Sequence, residues 1–230
     1  MDANIKIAGA TDNSKYRELI KGNLDKITAK LEFVYTKKIE VILHDSRDSL
    51  NKAIGRSTDE WEVAFASMGN QENKINILDP ACLEKCSTHK ESEFSDIMTH
   101  ELTHLVINDI AHGAAIPIWL SEGLSNWLCQ DNAFRSRELF YIETDLLEKT
   151  GTPMGWERMT SQNIYSVSYL LMDYMIRRFS LEKVKELLGS LDKHYYYPGF
   201  QKTIKKVLGV SPDNIETAFV EDLISSKSAL

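Results

Sequence analysis

His100-Glu101-Leu102-Thr103-His104 is the stretch that decides how the rest of the chain is read. On an α-helix its two imidazoles are four residues apart, about 6 Å of rise with roughly 40° of rotation, so they stand on one face. That spacing suits a single tetrahedral metal ion such as Zn²⁺. Glu101 projects beside the pair, near enough to polarise a water at the metal's open position. In a chain of this composition the pentapeptide arises by chance in about one case in a hundred. A helix that carries these three groups for no chemical reason is therefore the weaker reading.

Two histidines and a water leave one position to fill. A metzincin would continue with Gly at position 107 and His at 110, but the chain has Ile107 and Ile110. His112, eight residues past His104, would lie about 12 Å further along a continuous helix. Glu122 is better placed, within Pro117-Ile118-Trp119-Leu120-Ser121-Glu122-Gly123-Leu124. His112 to Ile116 reads as a loop, with Gly113 suited to end one helix and Pro117 suited to open the next. If the first helix stops near Ile110, His104 sits about 9 Å before its end, and Glu122 about 8 Å into an antiparallel successor. The three groups then lie level. Rival carboxylates fit worse: Asp109 would have to reach back about 7 Å, and Asp131 and Glu138 lie about 13 Å or more beyond the level of Glu122. Glu143 falls on a further helix.

A His-Glu-x-x-His pattern followed by a glutamate 18 positions after the second histidine resembles the gluzincins, the class of thermolysin and the aminopeptidase N family. The fuller phrase, His-Glu-Leu-Thr-His through Pro-Ile-Trp-Leu-Ser-Glu-Gly-Leu, is similar to small bacterial peptidase MA-like domains. The resemblance runs from about Lys38 to Ser225 and is specific around residues 97–127. It implies a zinc metallopeptidase with a thermolysin-like core that acts on a peptide or protein. It further implies one Zn²⁺ per chain held by His100, His104 and Glu122, with Glu101 as general base. Aminopeptidase N-like enzymes place an oxyanion-stabilising tyrosine in a Tyr-x-x-Gly phrase. Tyr165 takes that position here, although Ser168 stands where glycine is usual, and Tyr169 one turn on competes for the role. In thermolysin-like folds an edge strand above the active-site helix pairs with substrate backbone. The strand at Val63–Met68, with small Ala64, Ala66 and Ser67, occupies that place in the order, and an ordinary half-buried hairpin explains it equally well. Asn126, four residues past Glu122, is set to hydrogen-bond the far nitrogen of His100; a plain polar surface position is the competing reading.

Composition agrees with one enzyme-sized domain over 1–230, divided into an α/β sheet part (1–92) and a helical part (93–230). At 230 residues and 43% hydrophobic the chain can bury a sizeable core, and 27% charged residues is close to the globular norm. A net charge of −7 argues against nucleic acid or an anionic membrane as the main partner. Lys202, Lys205 and Lys206 read as a solvated helix face. The N-terminus has no basic and apolar leader pattern, and no apolar run reaches the roughly 18 residues of a membrane span. Three cysteines suit a reducing compartment better than a disulfide scaffold. Cytoplasmic location is the resulting expectation, although relatives of this type are often exported. Cys82, Cys86 and His89, read as lying on a loop, imitate a zinc knuckle without its fourth ligand.

Along the chain the pattern predicts a small mixed or antiparallel sheet with helices, then helices almost throughout, which is the α+β order. Strands fall at Ile5–Ile7 and Ile39–Leu43, with a hairpin of Val63–Ser67 and Lys74–Leu78 around Gly69-Asn70. Helical spacing covers residues 13–35 and 48–54. Later helices run near Ser95–Ile110, Pro117–Asp131, Ala133–Lys149, Asn163–Phe179, Leu181–Leu191, Phe200–Val207 and Pro212–Leu223. Residues Gly151–Gly155 form the internal joint. Trp61, Trp119, Trp127 and Trp156 read as core or rim aromatics, Trp127 lining a cleft, and Cys129 as a small core residue. His44 and His194 show no partner pattern. Two other readings stand beside the peptidase: a zinc-containing scaffold domain with little turnover, and a regulatory protease with one protein target. Retention of Glu101 weighs against the scaffold, because a structural zinc needs no base.

Overall fold

The computed structural model describes residues 5–9, 13–69, 71–129, 145–159 and 163–227. Its first half runs β1 (Ile5–Ala8), α1 (Asn13–Lys30), β2 (Lys38–His44), α2 (Arg47–Ile54), β3 (Ala64–Ser67), β4 (Glu72–Leu78), α3 (Pro80–Cys86), a 3₁₀ turn (Glu91–Glu93) and α4 (Phe94–Ile110). Helices follow: α5 (Ile118–Cys129), α6 (Leu146–Lys149), α7 (Pro153–Met159), α8 (Ile164–Phe179), α9 (Leu181–Gly189), α10 (Tyr197–Leu208) and α11 (Pro212–Lys227). The chain is α+β, with its strands ahead of its long helical run. Two compact units divide it, Met1–Val106 and Ile107–Leu230, so the boundary falls inside α4. No helix among the described residues is long and apolar enough to cross a membrane.

The first unit is built on a four-stranded sheet of order β1-β2-β4-β3. β1 with β2 and β2 with β4 are parallel, while β3 runs antiparallel to β4, so the sheet is mixed. Parallel neighbours need a crossover, which α1 supplies between β1 and β2. The β-branched residues Ile39, Val41, Ile75 and Ile77 are fully buried and hold the two central strands in register. β3 is an edge strand. Leu78 donates its N–H to the carbonyl of Val63, so by alternation Phe65 and Ser67 also turn their peptide groups toward β4. The peptide groups of Ala64 and Ala66 consequently face the open edge.

Three sequence expectations need correction in this unit. α1 stops at Lys30 instead of continuing to residue 35. Glu32 turns left-handed (φ 46°), and Phe33 N–H reaches back to the Thr28 carbonyl, the bond pattern of a Schellman termination. Cys82 and Cys86 lie on α3, not on a loop. Asp79 caps that helix by accepting from Cys82 N–H, and Pro80 fits its first turn. The two cysteines are also joined to each other as a disulfide, so their thiols are not available as metal ligands, and only Cys129 is free among the described residues. His89 pairs instead with Glu93 and with the Trp61 carbonyl.

The second unit is helical. α5 lies antiparallel against α8, and Trp119 and Phe200 meet edge to face at 6.1 Å. The expected joint at Gly151–Gly155 contains the start of α7: Gly155 N–H donates to Thr152 Oγ1 and Trp156 N–H to the Thr152 carbonyl, so Thr152 with Pro153 opens a helix there. Of the expected helix at 133–149, residues 133–144 lie outside the described residues, as does Asn70 of the hairpin turn. Glu216 on α11 closes the start of α6, accepting the N–H groups of Asp145 (3.1 Å) and Leu147 (2.7 Å).

Burial, partly offset by those backbone donors, lifts the Glu216 carboxyl above its ordinary range. The native state then holds this proton more tightly than the unfolded chain does. Its stabilising contribution is complete below the unfolded pKa and is lost as pH rises through the raised value. Glu216→Gln keeps an acceptor oxygen and removes the titration. Thermal unfolding followed from about pH 4 to about pH 7 should therefore show less loss of stability with rising pH in the variant than in the wild type. Parallel profiles for the two proteins would count against this assignment.

Candidate metal centre

α4 begins where Phe94 meets Tyr16 of α1 edge to face (5.7 Å) and where Asn23 Nδ2 donates to the Ser95 carbonyl (3.1 Å). Met98, Leu102, Leu105 and Val106 are fully buried along it. Thr99 and Thr103 return their hydroxyls to the carbonyls four residues back. His100 and His104 are half-buried, and Glu101 between them is only 8% exposed. The helix ends as its sequence suggests, with His112 (φ 53°) and Gly113 (φ 71°) both left-handed and Gly113 N–H bonded to the Asn108 carbonyl. His112 thus belongs to the turn, is exposed, and is not in the ligand group of His100, His104 and Glu122. Pro117 then starts the next helix, its carbonyl accepting from Leu120 and Ser121.

Across this short reversal, His100, His104 and Glu122 each offer a ligand atom, and these atoms lie within 4.8 Å of one another. No other group of this kind occurs among the described residues. The two Nε2 atoms are 3.0 Å apart, with the rings at 81°. Two nitrogens on a tetrahedral zinc at about 2.0–2.1 Å would sit about 3.4 Å apart. The donor set therefore fits a divalent ion that takes two imidazoles and a carboxylate. Asp109 is not in the group, and Asp131, Glu138 and Glu143 lie outside the described residues.

The remaining candidates lie on α5, α8 and the sheet edge. Asn126 is fully buried; its Nδ2 donates to the Tyr165 carbonyl at 3.4 Å, and its Oδ1 is buried without a hydrogen-bond partner. Tyr165 is half-buried and stands edge-on to Trp156, with ring centroids 5.0 Å apart. Tyr169 is buried. Trp127 is half-buried and donates to Asp173 Oδ1 at 3.4 Å. Cys129 is half-exposed, not a core residue, with its thiol directed at the Asn126 carbonyl. Ala64 and Ala66 are on β3, as expected of an edge strand.

Sequence gave no partner for His44. The structure buries it between Ser49 (Nδ1, 2.8 Å) and Asn76 (Nε2, 3.1 Å). That contact depends on the pairing of β2 with β4, which no local pattern announces, and it makes His44 a satisfied core histidine. Arg47 is similarly hidden in sequence: its guanidinium binds the carbonyls of Asp59, Glu60, Glu62 and Cys86 and so fastens the loop that leads into β3.

Compared with known protein families, with curated proteins and with solved structures, the chain finds no match.

Proposed function

We propose that this chain is a gluzincin-type zinc metallopeptidase with a thermolysin-like core, hydrolysing peptide bonds of a peptide or protein substrate. One observation carries the reading: His100, His104 and Glu122 present ligand atoms within 4.8 Å of one another, with Glu101 adjoining His100 on the same helix. Zinc held there supplies a Lewis acid and an acidified water. Glu101 accepts the proton of the attacking water and delivers it to the leaving amine. Tyr165, the less buried of the two tyrosine candidates, donates its hydroxyl to the developing oxyanion. The buried Oδ1 of Asn126 is an acceptor in search of a donor, and the N–H of a ligating imidazole is the donor that metal sites commonly present.

β3 gives the substrate a place to lie. The open-edge peptide groups of Ala64 and Ala66 offer two N–H donors and two carbonyls at strand spacing, and an extended peptide pairs with such an edge. Their methyl side chains keep the approach unobstructed.

A peptide library incubated with zinc-loaded protein tests this function. Cleavage should appear, disappear on chelation and return when zinc is restored. Peptides that remain intact alongside a fully zinc-loaded protein would remove the general-peptidase reading.

A further inference from the structure

α5 and α8 pack closely at Gly123, the residue after Glu122. A Cβ placed at Gly123 would stand 2.6 Å from the Ser168 carbonyl oxygen and 3.3 Å from Met172 Cβ. The first of these neighbours is backbone, so it cannot rotate aside; the helices themselves would have to part. One turn on, Asn126 Nδ2 donates to the Tyr165 carbonyl. These two contacts, 123 with 168 and 126 with 165, step in opposite directions along two antiparallel helices and define one register. Ser168 supports the close approach, because its hydroxyl folds back onto the Tyr165 carbonyl of its own helix (2.8 Å) and makes no demand across the seam.

Resting on the metal reading above, we infer that Gly123 is a positioning residue for the metal site: by letting α5 rest on the backbone of α8, it sets the depth at which Glu122 presents its carboxylate. Cores respond to small volume changes by shifting whole elements, because they are already close-packed. A displacement of about 1 Å matters to a ligand bond that tolerates only ~0.2 Å.

The test compares wild type, Gly123→Ala and Glu122→Ala, with Val184→Ala as a control. Val184 is fully buried on α9, so this control lowers stability and leaves the sequence of α5 and α8 unaltered. Zinc affinity is measured by competition with a chelator, and the ligand set by the visible absorption of the Co²⁺-substituted protein. Gly123→Ala should bind zinc at least about tenfold more weakly, and its Co²⁺ spectrum should shift toward that of Glu122→Ala. Val184→Ala should melt earlier with affinity and spectrum unchanged. A folded Gly123→Ala protein with wild-type affinity and spectrum would overturn the inference, leaving the metal site intact. Wild-type protein that binds neither ion would overturn the reading beneath it. If Gly123→Ala does not fold, Met172→Val decides by the same readouts, since it branches the carbon facing Gly123 from the α8 side and leaves α5 unaltered.

Discussion

Glu101→Gln should retain zinc and fold while lowering peptide turnover by about 100-fold or more, the scale of general-base catalysis. Glutamine fills nearly the same volume at a position that is 8% exposed, so packing along α4 is preserved. What it lacks is a site for the proton of the attacking water. Because Glu101 is not in the three-residue ligand group, metal affinity should stay within a few-fold of wild type. Steady-state kinetics on a cleaved library peptide, with metal content measured on the same sample, separates the two effects. Undiminished hydrolysis in the variant would assign the activity to another group.

A comparably large effect is expected at the third ligand. Outer hydrogen-bond partners of metal ligands typically change affinity by about 10–100-fold, and removing a ligand itself should exceed that range. Glu122→Ala should therefore weaken zinc binding by at least about 100-fold, whereas Asp109→Ala should alter it only slightly. The contrast is informative because both carboxylates are close to His104 in sequence and only Glu122 joins the group in space. Equal losses in the two variants, or a larger loss at Asp109, would break the gluzincin assignment and leave a plainer zinc hydrolase.

The grouping of His100, His104 and Glu122 was legible in sequence for a physical reason. Metal ligands must converge within a few ångströms, and on helices that requirement becomes arithmetic. His100 and His104 share a face by their spacing, and Glu122 follows from one short reversal opened by Pro117. Element types were legible as well, because β-branched runs such as Ile39–Leu43 and the apolar spacing of α8 are local signals. Features that depend on tertiary register were not. The parallel pairing of β2 with β4, and with it the burial of His44 beside Asn76, cannot be read from either strand alone. α3 escaped notice because seven residues are too short to show a period, and its cap, Asp79-Pro80, also reads as a turn. The end of α1 was missed because Tyr35 keeps the helical spacing while the backbone has already turned at Glu32. Tyr165 takes the motif position and Tyr169 stands one turn on; the structure adds that Tyr165 is half-buried and Tyr169 buried. Gly123 was legible as a small residue beside a ligand, but the backbone it packs against is 45 positions away at Ser168.

Metal content tests the central claim most directly. Purified protein, analysed by inductively coupled plasma mass spectrometry, should carry about one zinc per chain, lost on His104→Ala or on chelation and regained when zinc is added back to the wild type. Protein that holds no zinc, even after incubation with it at neutral pH, would contradict the proposed centre and the chemistry built on it.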